Sequence, residues 1–202
     1  MEMNVQMAKP AKLPPALERG DRVAIVSPAS KIAPELIDSA VAMLEKEGYE
    51  PVVMPHAKGE SGSFSATAHD RVADMRMALE DDSIRAVLCS RGGYGAVHLL
   101  GELDRLPDRC FDKWLIGFSD ITALHCLWQR KGVAGLHAAM AKYIGRGGEF
   151  EYYSREMGIL AGKGDRIYDF TFPAHRYDNS GRCRGRVTGG NLAVLGGLIG
   201  TP

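Results

Sequence analysis

The sequence predicts an α/β protein built on an open parallel sheet. Three observations carry this. Short, almost wholly apolar runs recur along residues 17–145, as buried parallel strands require. Between them lie stretches with apolar residues at helical spacing. The turns that join them hold glycine, serine and proline, which stop and start elements.

Taken in order, residues 1–16 are expected to be a mobile tail, because Pro10, Pro14 and Pro15 block regular structure. Arg22–Ser27 is the first strand, ending at Ser27-Pro28. Pro34 fits the first turn of a helix whose apolar face is Leu36, Ile37, Ala40, Val41 and Leu44. Gly48 stands where a C-terminal cap belongs. Tyr49–Met54 is a second strand, followed by a polar loop from His56 to Ser65. The next helix starts near Thr67 and presents Ala68, Val72, Met75 and Leu79. Ile84–Ser90 is a third strand, Arg91–Gly95 a turn, and Ala96–Leu103 a helix. Lys113–Phe118 is a fourth strand. Ser119 and Asp120 open a helix to about Lys131, and Val133–Leu136 is a further short strand. Alternating strands and helices of this kind give a Rossmann- or flavodoxin-like domain over residues 17–145.

Beyond that the pattern changes. Residues 146–165 read as a linker. Arg166–Phe172 and Arg182–Thr188 alternate as strands do, so residues 166–202 are expected to begin a smaller, incomplete β-rich domain. The apolar run Leu192–Ile199 fits the core of that domain, or a contact in a homodimer.

Composition narrows the function. Twenty-five basic and 25 acidic residues give a net charge of zero, so nothing points to nucleic acid. No run reaches the ~18 apolar residues of a membrane span, and the first 15 residues lack a signal peptide's apolar centre. A cytoplasmic protein with reduced thiols is expected. Cys89, Cys110, Cys126 and Cys183 contain no CxxC pair, so neither a zinc knuckle nor a thioredoxin-type site is supported. No cofactor is expected.

In open α/β sheets chemistry collects at the carboxyl ends of strands. The turn Ser90-Arg-Gly-Gly-Tyr-Gly95 lets backbone approach a ligand and fits an anion or oxyanion site, or simply a tight turn. It matches neither a dinucleotide fingerprint nor a Walker loop. The turn Leu115-Ile-Gly-Phe-Ser-Asp-Ile121 resembles a nucleophile elbow, with Ile121 in place of the second glycine. There a sharp turn lifts the serine hydroxyl off the sheet and aims the next N–H at a developing oxyanion. Ser119 or Asp120 could instead be a helix N-cap. Of the six histidines, His125 faces away from position 119 on the same helix, and His137 follows a strand end. None stands out as the base. Arg182, Arg184 and Arg186 alternate onto one strand face. They form a solvated surface or a cationic wall for a carboxylate-rich substrate.

These segments, in this order, resemble the LD-carboxypeptidases (muramoyltetrapeptide carboxypeptidases) of serine peptidase family S66. The likeness runs through Gly20–Ala29, Arg91–Gly95, Ile116–Thr122, Gly135–His137 and Gly189–Pro202. It implies an N-terminal α/β domain, a smaller β-rich domain and a metal-free Ser-His-Glu triad. Ser119 falls on the nucleophile. Asp120 and the Gly92-Gly93 turn fall on the oxyanion donors. The family's glutamate and histidine are expected beyond residue 202 and have no counterpart here. The implied reaction is hydrolysis of an L,D-amide, releasing terminal D-alanine from a murein peptide. The alternatives are a same-family self-immunity hydrolase of a peptidyl-nucleotide antibiotic, or a non-catalytic binding module.

Overall fold

The computed structural model describes residues 10–144, 151–163, 171–179, 181 and 185–201. Four strands, β1 (Arg22–Val26), β2 (Glu50–Val53), β3 (Ile84–Cys89) and β4 (Trp114–Ile116), form one sheet in the order β2-β1-β3-β4. Every pairing is parallel. The strands alternate with helices α1 (Pro34–Glu47), α2 (Ala68–Glu80), α3 (Leu100–Leu103) and α4 (Thr122–Arg130). Three more follow: α5 (Ala141–Ile144), α6 (Glu151–Leu160) and α7 (Leu192–Leu198).

Strand position accounts for strand composition. Val23–Val26 of β1 and Ala86–Cys89 of β3 are sealed on both faces, as central parallel strands must be. β2 lies at an edge and tolerates Pro51, which has no N–H to give a second neighbour. The other edge, β4, is covered by residues 133–136: Leu136 donates its N–H to Leu115 and accepts one from Gly117. The strand expected at Val133–Leu136 is reduced to two single bridges, Ile116 with Leu136 and Lys12 with Val133.

The helix boundaries follow local chemistry. Pro34 opens α1, and Gly48 closes it at φ 93°, donating its N–H to the Glu45 and Leu44 carbonyls. Thr67 caps α2 by accepting the Asp70 N–H at 3.2 Å. The buried stripe of α2 differs from the expected one. Arg71 and Asp74 are buried beside Met75, Ala78 and Leu79, while Ala68 is exposed. Both charged groups satisfy loop backbone, which turns the helix toward them. The helix expected over Ala96–Leu103 opens with a 3-10 turn, Ala96–Leu99, before α3.

Three expectations change. Residues 10–16 are pinned rather than loose: Lys12 exchanges backbone hydrogen bonds with Gly132 and Ala134. The Pro15 carbonyl also accepts the Trp114 Nε1–H at 2.7 Å. Proline removes donors but leaves acceptors, and these find partners about 100 residues away in sequence. Second, within the expected linker 146–165, α6 packs Tyr153, Met157 and Leu160 onto the core. Third, residues 171–172 and 185–188 form no strand, and the apolar run that follows is α7. A strand needs a neighbour's backbone, and the described residues of this region offer none. The remainder of Arg166–Phe172 and of Arg182–Thr188 lies outside the described residues. No helix among the described residues is long and apolar enough to cross a membrane.

Candidate active site

Two turns meet at the carboxyl edge of the sheet. After β4, the chain passes Gly117 and Phe118 and enters the left-handed region at Ser119, φ 63°. Among the described residues it is the one non-glycine with positive φ. Such backbone costs about 1–3 kcal/mol and persists only where its surroundings enforce it. Gly117 is part of that enforcement: a Cβ there would stand 3.0 Å from the Ile121 side chain. Ile121 thus packs back over the turn, and the second glycine of the elbow pattern is not needed for this geometry.

Ser119 is half-buried, and no side chain among the described residues hydrogen-bonds its Oγ. Asp120 follows at the open end of a 3-10 turn, Ser119–Ile121, where the leading N–H groups have no intrahelical acceptor. Its side chain is buried. Oδ2 accepts the Ala96 N–H at 2.9 Å, which binds the serine turn to the end of the glycine turn. Asp120 therefore offers its backbone outward and its carboxylate inward.

The glycine turn supplies the opposite wall. A Cβ on Gly92 would lie 3.2 Å from both Ser119 Oγ and Asp120 N. That empty position is where a small oxygen would touch the hydroxyl and the amide together. Gly93 adopts φ 118° and rests against the Ser30 side chain, whose Oγ accepts the Tyr94 N–H at 3.3 Å. The Gly92 carbonyl is turned toward the Arg91 side chain, 3.2 Å from Nε. Across a trans peptide, the Gly93 N–H points the other way. Gly95, φ 116°, lets Arg71 and Phe64 approach.

Arg71 was not apparent as a site residue from sequence. It donates to the Pro28 carbonyl at 2.6 Å and to the Gly95 carbonyl at 3.0 Å. It thereby joins the β1 exit to the glycine turn. Burial lowers its pKa, and the nearby Asp120 carboxylate opposes that shift.

Among the described residues, no histidine hydrogen-bonds Ser119. His125 is buried, and its Nε2–H donates to the Gly117 carbonyl at 2.8 Å. Gly135 leaves the space that its ring occupies. His137 stacks on His125 at 6.0 Å and packs against Phe118 at 6.0 Å. Burial holds both imidazoles below their ordinary pKa, hence neutral at pH 7. His98 lies edge-on to Tyr94 and Phe64, outside the Ser119 turn. The segment bearing His137 is fastened at two points. Lys142 N–H donates to the Ser90 carbonyl at 2.9 Å, and Ala139 N–H to Glu156 Oε2 at 3.0 Å. Burial pushes the Glu156 carboxyl up to about 8, and its Oε1 has no hydrogen-bond partner among the described residues. A glutamate on a helix reads as solvent-facing, so nothing in the sequence singled it out.

Of the predicted residues, the structure gathers Ser119, Asp120, Gly92 and Gly93 at one rim. Arg186 is exposed on the segment after residue 184, and Arg182 and Arg184 lie outside the described residues. No cluster of three or more His, Cys, Asp or Glu that could hold a metal occurs among the described residues.

The family model of the LD-carboxypeptidase N-terminal domain, peptidase family S66, matches residues 23–138. The chain belongs to the LD-carboxypeptidase family. Relatives of this family include a candidate carboxypeptidase of Streptomyces coelicolor, 35% identical over 98% of the chain and 63% of that protein. The murein tetrapeptide carboxypeptidase of Pseudomonas aeruginosa is 32% identical over 89% of the chain and 61% of its own length. The chain thus spans a little over 60% of these LD-carboxypeptidase relatives. Among solved structures, an MccF-like protein of Bacillus anthracis superposes with TM-score 0.66 at 26% identity, covering 74% of this chain and 47% of that one. The microcin C7 self-immunity protein MccF reaches 0.75 at 22% identity over 94% of this chain and 66% of its own, a likeness of fold.

Proposed function

We propose that this LD-carboxypeptidase family chain carries the nucleophile half of a serine peptidase that releases terminal D-alanine from murein peptides. Ser119 Oγ attacks the carbonyl of the L,D-amide. The Asp120 and Gly93 N–H groups receive the oxyanion; one such donor contributes about 3 kcal/mol to the barrier reduction. Oγ needs a base to take its proton, and the resemblance assigns that role to a histidine held by a glutamate, neither matched in this chain. The observation that carries the reading is the strained, half-exposed Ser119 facing the open position beside Gly92 and the Asp120 amide. The name of the Pseudomonas relative supports the substrate class.

The test is D-alanine release from murein tetrapeptide by the full-length protein and by its Ser119→Ala variant. The expected result is turnover that falls at least about 10³-fold with the fold retained. Retained turnover in the variant excludes Ser119 as nucleophile. The likeness to the Bacillus anthracis MccF-like protein favours a second reading, cleavage of a peptidyl-nucleotide antibiotic. Assaying an aminoacyl-sulfamoyl nucleoside beside the tetrapeptide separates the two by their kcat/KM ratio.

A further inference from the structure

A peptidase confined to chain ends must recognise the free terminal carboxylate, and Arg71 is buried and already engaged with the Pro28 and Gly95 carbonyls. This inference rests on the proposed function and concerns its substrate. In a peptide ending in D-alanine, three bonds separate the attacked carbon from the carboxylate carbon. They hold the two within about 3–4 Å. The cation must therefore lie within one side chain's reach of the oxyanion position.

Arg91 satisfies this. It directly precedes Gly92, the residue that abuts Ser119. Its guanidinium is half-buried and fixed by backbone: Nη1 donates to the Lys31 carbonyl at 3.1 Å and Nε to the Gly92 carbonyl at 3.2 Å. Nη2 lies 3.8 Å from the position a Gly93 Cβ would take, beside the contact between the glycine turn and Ser30. Among the described residues Arg91 has no carboxylate partner and Nη2 no acceptor. The neighbouring Lys31 is already paired with Glu60. Arginine held in one orientation by carbonyls, with an open N–H edge, suits bidentate capture of a carboxylate. The Gly92–Gly93 peptide also separates the two tasks. Its carbonyl faces the guanidinium and its N–H faces away, so one anion need not compete with the other.

We propose that Arg91 binds the terminal carboxylate of the substrate and so confines the enzyme to the last residue of the peptide.

The test uses the Ser119→Ala protein, in which affinity is read without turnover. Calorimetry compares murein tetrapeptide ending in D-alanine as the free acid and as its C-terminal carboxamide. The acid is expected to bind at least tenfold more tightly. Adding Arg91→Gln, which can still donate to Lys31, should bring the ratio to about one by weakening the acid alone. Arg91→Lys should restore part of the preference. An unchanged ratio in Arg91→Gln, or equal weakening of acid and carboxamide, overturns the assignment. So does a parent protein that does not distinguish the two peptides. Absence of D-alanine release by the unmutated protein, with the acid preference intact, would defeat the hydrolase reading and leave the carboxylate site standing.

Discussion

Serines stand at three strand ends of this sheet, and they are not alike. Ser27, after β1, and Ser90, after β3, are buried and share a hydrogen bond of 2.6 Å between their hydroxyls. Ser27 also donates to the Ala57 carbonyl, and its own carbonyl accepts from Ser65 Oγ, both at 2.6 Å. Ser119, after β4, is half-exposed, left-handed and without a hydrogen-bonded side chain among the described residues. Position at the carboxyl edge is common to all three, so position alone does not make a nucleophile. What differs is backbone. Ser27 and Ser90 are not left-handed, and their hydroxyls turn into the interior network. The left-handed exit at Ser119 lifts it off the sheet, and the Asp120 side chain holds that conformation through Ala96.

The contrast can be broken by substitution. The largest effect is expected for Ser119→Gly, which should remove turnover by at least about 10³-fold. It should also raise unfolding free energy by about 1 kcal/mol, because glycine accepts φ 63° freely. Urea titration beside the peptide assay checks both signs. A loss of stability would show that Ser119 is not strained.

Next is the pH dependence set by Glu156, which secures the segment bearing His137. Its folded pKa, about 8, lies above the ordinary glutamate value. The folded state therefore keeps its proton longer than the unfolded chain does. The stability tied to that proton is complete below about pH 4 and is lost as pH rises toward 8, on the order of 5 kcal/mol in all. Glu156→Gln should flatten this slope in denaturant midpoints measured from pH 5 to 9. An equally steep slope in the variant would assign it to other groups.

Gly92→Ala comes third. A methyl 3.2 Å from Ser119 Oγ and Asp120 N fills the proposed oxyanion space. A loss of about 10²-fold in kcat, with a melting temperature close to the parent's, is expected. Unaltered kcat would move the oxyanion elsewhere. The smallest effect is on the buried side of the contrast. Ser90→Ala should cost about 1–3 kcal/mol by leaving the Ser27 hydroxyl short of a partner, with KM unchanged.

The residues that sequence reasoning reached are those whose signal is local. Pro34, Gly48 and Thr67 mark helix ends by their own chemistry. Gly117-x-Ser119 and Arg91–Gly95 mark turns by what glycine permits. Arg71 and Glu156 escaped because a charged residue on a helix carries no local sign of burial. Their partners, Pro28, Gly95 and Ala139, are 43, 24 and 17 residues away. The Lys12–Asp112 and Trp114–Pro15 contacts, about 100 residues apart in sequence, hold the N-terminal segment that proline content alone made look loose. Alternation over Arg182–Thr188 predicts a strand, yet residues 185–188 form none, because a strand requires an adjacent backbone that the pattern does not encode.

The central claim is that Ser119, alone among the serines at these strand ends, is chemically active. Treating the protein with a fluorophosphonate and mapping the adduct by peptide mass spectrometry tests this directly. The account predicts a single adduct on the peptide carrying Ser119, abolished in Ser119→Ala, with Ser27, Ser65 and Ser90 unmodified. An unlabelled Ser119, or an adduct on one of the buried serines, would contradict it.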